Sequence, residues 1–412
     1  MRAGALAEIH ARPFPAIASN RVILHLAFSS EGGSTVSHAV MSELSRARGA
    51  TPPAAGARYH EIGWGRGRLR WESHSEFTTF GWEGPAPARF GGAVAGHPFG
   101  DGFSPPGMLI SAARIEVRRL TPGSLHLLDR FDQESLAVTV LEDGQSLVAT
   151  DFRQDGDGMT VFLILEHGLA PARIGYFAKT AIDLETYRTL ALLGLPLAHS
   201  LSGRLAVIEA ELARLTRQMR EAEAGAVQSL LASITRLAGE LEAEAVASQY
   251  RFGATRAYGD IVAERLAMFG TARLPGHKRL HRFLDLRLAP ALRTCRSVEQ
   301  RLDRLSERLS RTANLLRTRV EVEIEEQNRA LLDQMNRRAR LQLRLQQTVE
   351  GLSVAAVSYY VVGLFYYLAD AGQAWLPPPL TPKMAAGLFV PVAVLAVWST
   401  VRRIRRHHRD DG

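Results

Sequence analysis

The sequence predicts an α+β (or α/β) N-terminal domain, then a bundle of long helices, then a C-terminal pair of membrane-spanning helices. Three observations predict it. Short apolar runs broken by glycine turns fill the first 200 or so residues. Residues 296–369 contain no proline and carry apolar side chains at helical spacing. Two uncharged apolar stretches of 18 residues each lie near the C-terminus, at the lower limit for crossing a hydrocarbon core about 30 Å thick.

The N-terminal domain is expected over residues 1–198. Residues 21–29 (RVILHLAFS) read as a strand and 34–48 as the helix that follows it. Residues 59–62 and 68–82 read as two strands joined by a turn rich in glycine at Gly63, Gly65 and Gly67. Further strands are expected at 109–120, 136–141, 146–152 and 159–165. Asp143-Gly144 and Asp155-Gly156 fall between strands, where turns need positive φ. Asp183 is placed to cap a helix running to Leu193, after which Gly194 and Pro196 close the domain.

A helical region follows over 199–294, with one stripe at Leu205, Ile208, Leu212, Leu215 and Met219 and another at Leu230, Ile234, Leu237 and Leu241. Residues 295–351 form a stalk helix. Val298, Leu309, Val320 and Leu331 recur every 11 residues, as do Leu302, Ala313, Ile324 and Met335. An 11-residue repeat gives a nearly straight or slightly right-handed packed helix. At 1.5 Å per residue, 296–369 would span roughly 110 Å and need partners along its length. The acidic group Glu321, Glu323, Glu325 and Glu326 reads as a solvated face or as a partner for arginines of neighbouring subunits.

The two spans, 352–369 (LSVAAVSYYVVGLFYYLA) and 384–401 (MAAGLFVPVAVLAVWSTV), make a transmembrane hairpin over 352–401, with Pro391 expected to kink the second. Arginines flank it on both long sides, and the short connecting loop carries only Lys383 against Asp370. Positive residues stay inside, so both termini are expected in the cytoplasm, with the hairpin in the inner membrane. Ser353, Ser358, Tyr359 and Tyr360 are many hydroxyls for a lipid-facing helix, so they read as pore-lining or subunit-contact residues, or as interfacial tyrosines and self-bonded hydroxyls. The tail 402–412 carries Arg402, Arg403, Arg405 and Arg406, a topology signal and a contact for anionic lipid. No aromatic platform accompanies that run, which argues against nucleic acid.

Composition sets further limits. The 412 residues carry a net charge of +8, supplied almost wholly by arginine, since lysine occurs only at Lys179, Lys278 and Lys383. The single cysteine, Cys295, excludes an internal disulfide and any zinc site built on several thiolates, and suits a reducing compartment. Residues 1–20 have no continuous apolar core and do not read as a secretory signal. No phosphate-cradling Gly-Lys-Ser/Thr loop, His-Glu-x-x-His helix or Gly-x-Ser-x-Gly elbow is present, and the sequence does not identify an enzyme.

The densest chemistry is Trp71-Glu72-Ser73-His74-Ser75-Glu76-Phe77. On one strand, Glu72, His74 and Glu76 would share a face, either as a divalent-cation or acid–base site or as ordinary solvated residues above a Trp71/Phe77 core. His10, Arg12 and Phe14 form a second group, an anion contact or a docked segment, and His97 sits in a loop.

Two resemblances follow. The segments AEIHARPFPAI (7–17), LRWESHSEFTTF (69–80) and YRTLALLGLPLA (187–198), with the terminal hairpin, resemble a bacterial family of membrane-anchored proteins with a domain of unknown function, number 3422. The resemblance covers most of the chain and implies topology without an activity. The order of cytoplasmic domain, long helix, two spans and basic tail is similar in architecture to the CorA-type magnesium channels, which implies a homo-oligomer. The Gly-Met-Asn motif of that family is absent after the first span, where Phe365-Tyr366-Tyr367-Leu368-Ala369-Asp370 stands, so no ion-binding residue carries over. The expected function is an oligomeric CorA-like scaffold or ion-conducting assembly; the alternative is a membrane-tethered enzyme or metal sensor working through Glu72, His74 and Glu76.

Overall fold

The computed structural model describes residues 16–30, 33–222, 225–372 and 381–410, the side chains from 404 onward excepted. The chain runs β1 (Arg21–Ser29), α1 (Gly33–Ala47), β2 (Tyr59–Trp64), β3 (Gly67–Ser73), β4 (Phe77–Pro85), β5 (Leu109–Arg119), a 3-10 turn (Leu125–Arg130), β6 (Ala137–Val140), β7 (Leu147–Thr150) and β8 (Thr160–Glu166). It continues through α2 (Pro171–Leu192), α3 (Gly194–Glu221), α4 (Val227–Met268), β9 (Ala272–Arg273), α5 (Leu280–Ala371) and α6 (Pro382–Asp410). Contacts divide it into two compact units, 1–314 and 315–412.

In the first unit all nine strands form one sheet, ordered β2-β3-β4-β1-β5-β8-β7-β6-β9. Only β5 and β8 run parallel; the other neighbours are antiparallel. Side chains alternate across each strand, so β1 sends Ile23 to one face and Val22, Leu24, Leu26 and Phe28 to the other. The Ile23 face packs with Ile115, Val117, Phe162 and Ile164 under Phe177, Ala181 and Leu184 of α2. Val262 and Leu266 of α4, with Leu280, Phe283, Leu284 and Leu288 of α5, complete that core, so it draws on residues well beyond 198. The opposite face joins Leu69, Trp71, Phe80 and Trp82 to Met41 of α1.

The β1, β5, β6, β7 and β8 segments lie where the alternation predicts them. Five local readings are corrected. Residues 68–82 are two strands, because the backbone turns at 74–76, where the His74 N–H donates to Phe77 O at 2.9 Å. The positive φ after Asp155 falls on Gly158 (+75°), two residues later than expected, in a loop where Asp155 Oδ1 accepts from the N–H groups of Asp157 and Met159. Asp183 lies in mid-helix: α2 starts at Pro171, whose missing N–H costs nothing in the first turn. Gly194 opens α3 instead of ending the domain, and a Cβ there would stand 2.3 Å from Thr255 Oγ1 of α4, so the close pass of these helices needs glycine. The long helix also begins earlier than expected and runs through Pro290. Burial of Leu284 and Leu288 before it and of Cys295 and Val298 after it outweighs the hydrogen bond that proline removes.

A second polar layer stiffens β5. Arg114 and Glu116 are essentially fully buried, 2% and 0% exposed. Arg114 donates to Glu116 Oε1 through Nε and Nη2 at 3.0 and 2.6 Å, and Arg118 to Oε2 at 3.2 and 2.6 Å. The same guanidinia also donate to the carbonyls of Gly92 and Pro87, tying the 87–92 loop to the sheet.

In the second unit α5 and α6 meet through Phe365 and Phe389, stacked at 4.1 Å. Ser358, Ala386 and Ala393 are buried there, small groups that let two helices approach closely. Helix α6 runs through Pro391. By length and composition three helical stretches are apolar enough to cross a membrane: Pro171–Glu221, Leu280–Ala371 and Pro382–Arg403. In the first, 33% of the apolar window is buried, against 6% and 11% in the other two.

Removing Glu116 alone would leave the buried Arg114 guanidinium, with Asp155 at 3.6 Å, facing the half-buried guanidinium of Arg118. Glu116→Ala is therefore expected to destabilise the first unit by about 3–5 kcal/mol. Chemical denaturation of the purified protein checks this, and a loss below 1 kcal/mol would show that the triad is solvated.

Candidate functional site

The sequence folds charge onto one end of the sheet. Alternation places Tyr59 and Glu61 of β2, Arg68, Arg70 and Glu72 of β3, Thr79 and Glu83 of β4, and Arg21 and His25 of β1 on the face that α2 covers. The register lines them up as cross-strand neighbours: Glu61 beside Arg70, Glu72 beside Thr79, Arg68 beside Glu83, and Glu83 beside Ile23. Helix α2 lays Ala178, Lys179 and Ile182 over the row.

Ion pairs knit this face together. Arg70 donates to Glu61 Oε2 through Nε and Nη2 at 3.0 and 2.8 Å, and Tyr59 donates to the same oxygen at 2.9 Å. Burial alone would raise the Glu61 carboxyl, but those bonds outweigh it and hold it below the ordinary carboxylate range. Arg21 Nε reaches Glu83 at 2.8 Å. Lys179 Nζ lies 3.2 Å from Asp183 and 3.6 Å from Glu72 Oε2, and Arg265 of α4 completes the group at 3.0 Å from Asp183. Burial opposes the charge on Lys179, yet the two carboxylates prevail and raise its pKa above the ordinary lysine value. His25 behaves oppositely. Burial first, then the positive charges of Lys179, His74 and Arg70, push its pKa well below 6.5 and keep the ring neutral.

The structure separates the expected trio. His74 stands 3.7 Å from Glu72 and stacks on Phe77 at 4.2 Å. Glu76, beyond the turn, accepts from Tyr258 of α4 at 2.5 Å and pairs with Arg251. The one-strand reading fails because the hairpin turn intervenes, and among the described residues no three His, Cys, Asp or Glu side chains form a metal-binding group. Glu72 instead has an ammonium beside it.

The sequence reading missed His25 and Lys179. Each left a signal: His25 is the lone polar residue inside the run VILHLAF, and Lys179 is one of three lysines in an arginine-rich chain. Of the hydroxyls singled out on the first span, Ser358 is buried, while Ser353, Tyr359 and Tyr360 are exposed. Arg402 lies over the Trp398 ring at 4.7 Å and, like Arg403, is exposed. Arg405 and Arg406, and the group His10, Arg12 and Phe14, fall outside the described side chains. His97 is a loop residue whose Nδ1 accepts from the Phe99 N–H at 3.0 Å.

A family model described as Protein of unknown function (DUF3422) matches residues 1–408. The chain belongs to the DUF3422 family. The match takes in the sheet, the polar face under α2, the long helix and the C-terminal pair, so the DUF3422 fold is the whole of this architecture. No curated protein and no solved structure matches the chain.

The neutral, buried His25 makes stability depend on pH. The unfolded imidazole takes a proton near pH 6.5 while the folded one does not, so this contribution is present above pH 6.5 and is lost as the pH falls through it. Between pH 7.5 and 5.5 the wild type is expected to lose stability with a limiting slope of about 1.4 kcal/mol per pH unit for one proton. Thermal unfolding across that range checks it. His25→Asn should flatten the slope, and an unchanged slope would assign the effect elsewhere.

Proposed function

We propose that this DUF3422 protein is a membrane-anchored homo-oligomeric scaffold of CorA-like architecture, held in the inner membrane by two spans with both termini in the cytoplasm. One observation carries the reading. The apolar track of α5 is buried at Val298, Leu302, Leu305, Leu309 and Leu316, then continues uncovered. Ile324, Leu331, Met335, Leu341, Leu345 and Val349 on that side of the helix are all 46–68% exposed. A stripe of that length costs free energy in water at about 25 cal/mol per Å² of apolar surface, and copies of the same helix offer it a matched partner.

The membrane part of the proposal rests on burial. A third of the apolar window within Pro171–Glu221 is buried, whereas the windows of α5 and α6 lie almost bare and are suited to lipid. Exposed Ser353, Tyr359 and Tyr360 then face lipid or a neighbouring subunit. Burial of Ser358 within the hairpin, and the absent Gly-Met-Asn motif, favour a scaffold over an ion-conducting assembly. The exposed Arg402 and Arg403 suit anionic headgroups.

Light scattering of the detergent-solubilised protein, corrected for detergent, is expected to give a whole multiple of 45.2 kDa that is at least twice that mass. Ile324→Glu combined with Leu331→Glu should shift it to the monomer. A wild-type monomer would refute the scaffold reading. Topology has its own test, since Cys295 is 3% exposed and burial raises its thiol pKa, giving little background labelling. Ala374→Cys should react with a membrane-impermeant maleimide added to spheroplasts. Protection of that thiol from outside, with labelling only after lysis, would reverse the orientation.

A further inference from the structure

The polar face under α2 has a hole in it. Arg70 of β3, Gly81 of β4 and His25 of β1 are cross-strand neighbours, so the middle position carries no side chain. Helix α2 closes the space from above with Ala178, Lys179 and Ile182. The resulting cavity measures about 40 Å³, room for roughly three water-sized bodies at 10–15 Å³ each. Its wall mixes apolar side chains with the polar groups His25, Arg68, Arg70, Glu72, Glu83 and Lys179.

Three groups on the lining have a buried atom without a hydrogen-bond partner among the described residues: His25 Nδ1 and Glu72 Oε2, on residues only 6% and 7% exposed, and Glu83 Oε2, which lies 3.6 Å from Arg68 Nη2. Native proteins rarely leave such atoms unsatisfied, and three on one cavity point to a shared partner. The chemistry of the wall restricts that partner. Glu72 can only accept, so it asks for a proton. Lys179 and Arg70 can only donate, so they ask for oxygen lone pairs and negative charge. A metal cation satisfies Glu72 but meets the Lys179 ammonium, 3.6 Å from the same carboxylate oxygen. A proton-free anion satisfies Lys179 but meets Glu72.

We propose that this cavity binds a small oxyanion that retains a hydroxyl, of the size of bicarbonate. Its hydroxyl donates to Glu72 Oε2, and its remaining oxygens accept from Lys179 Nζ and from the Nδ1–H tautomer of His25. Arg70, held by Glu61 on its far side, supplies further positive field. Gly81 is a positioning residue: its bare Cα makes the space. The β-strand backbone there accepts a side chain, since a Cβ would lie 3.5 Å from His25 Cδ2, an ordinary contact. The site is independent of the scaffold reading and stands in monomer and oligomer alike.

Isothermal titration of the full-length, detergent-solubilised protein with sodium bicarbonate at mildly alkaline pH tests this, with sodium nitrate as the planar, proton-free comparison. Saturable binding of one bicarbonate per chain is expected, with nitrate at least tenfold weaker. Gly81→Val should abolish bicarbonate binding by filling the space. Glu72→Gln should weaken bicarbonate about tenfold and strengthen nitrate, because removing the carboxylate charge removes both the acceptor and the repulsion. That crossover also serves if Gly81→Val proves unfolded by circular dichroism. No saturable bicarbonate binding by the wild type, equal affinity for nitrate, or wild-type binding by folded Gly81→Val would each overturn the proposal.

Discussion

Everything in the first unit turns on how α2 lies across the sheet. Its inner face has two characters in sequence. Phe177, Ala181 and Leu184 meet the apolar strands β5 and β8, while Lys179 meets Glu72 of β3 and Asp183 meets Arg265 of α4. Apolar burial supplies the adhesion and is indifferent to direction. The Lys179 contact with Glu72 of the sheet and the Arg265 clamp from α4 on Asp183 are directional and fix where the helix comes to rest. A helix placed by burial alone could slide by a turn at modest cost. This one would part Lys179 from Glu72 and Asp183 from Arg265 if it did.

The same division explains what the sequence made legible. Strands β1, β5, β6, β7 and β8 carry apolar runs bounded by turn residues, and those signals are local. The hairpin at His74 was hidden because Trp71-Glu72-Ser73-His74-Ser75-Glu76-Phe77 keeps a period of two through its turn, so alternation alone gives one long strand. The α2 start was hidden because Pro171 follows directly on a strand and loop with no capping side chain, and Asp183 offered a more conventional cap. His25, Glu72 and Lys179 lie 47 and 107 residues apart in sequence, and only the pairing of β1 with β4 and the placement of α2 bring them to one cavity. No local pattern encodes that meeting.

The two units also place different demands on the same residue types. In the first, leucines of α3, α4 and the early part of α5 are buried by neighbours from the same chain. In the second, leucines of similar spacing are bare. The 11-residue repeat runs through both without a break, so periodicity alone does not tell an intrachain partner from one supplied by another molecule. Burial does.

Strand β8 ends at Glu166, but the helix that completes the apolar core over it begins at Leu280, and β9 joins the sheet edge only at Ala272. During synthesis at roughly 10 residues per second, the 113 intervening residues take about eleven seconds to emerge. For that interval the ribosome holds a nascent sheet whose Ile115, Val117, Phe162 and Ile164 lack part of their cover. The architecture therefore has a built-in vulnerable window, and it falls to general chaperones, or to early docking of α2, to keep that face from finding the wrong partner.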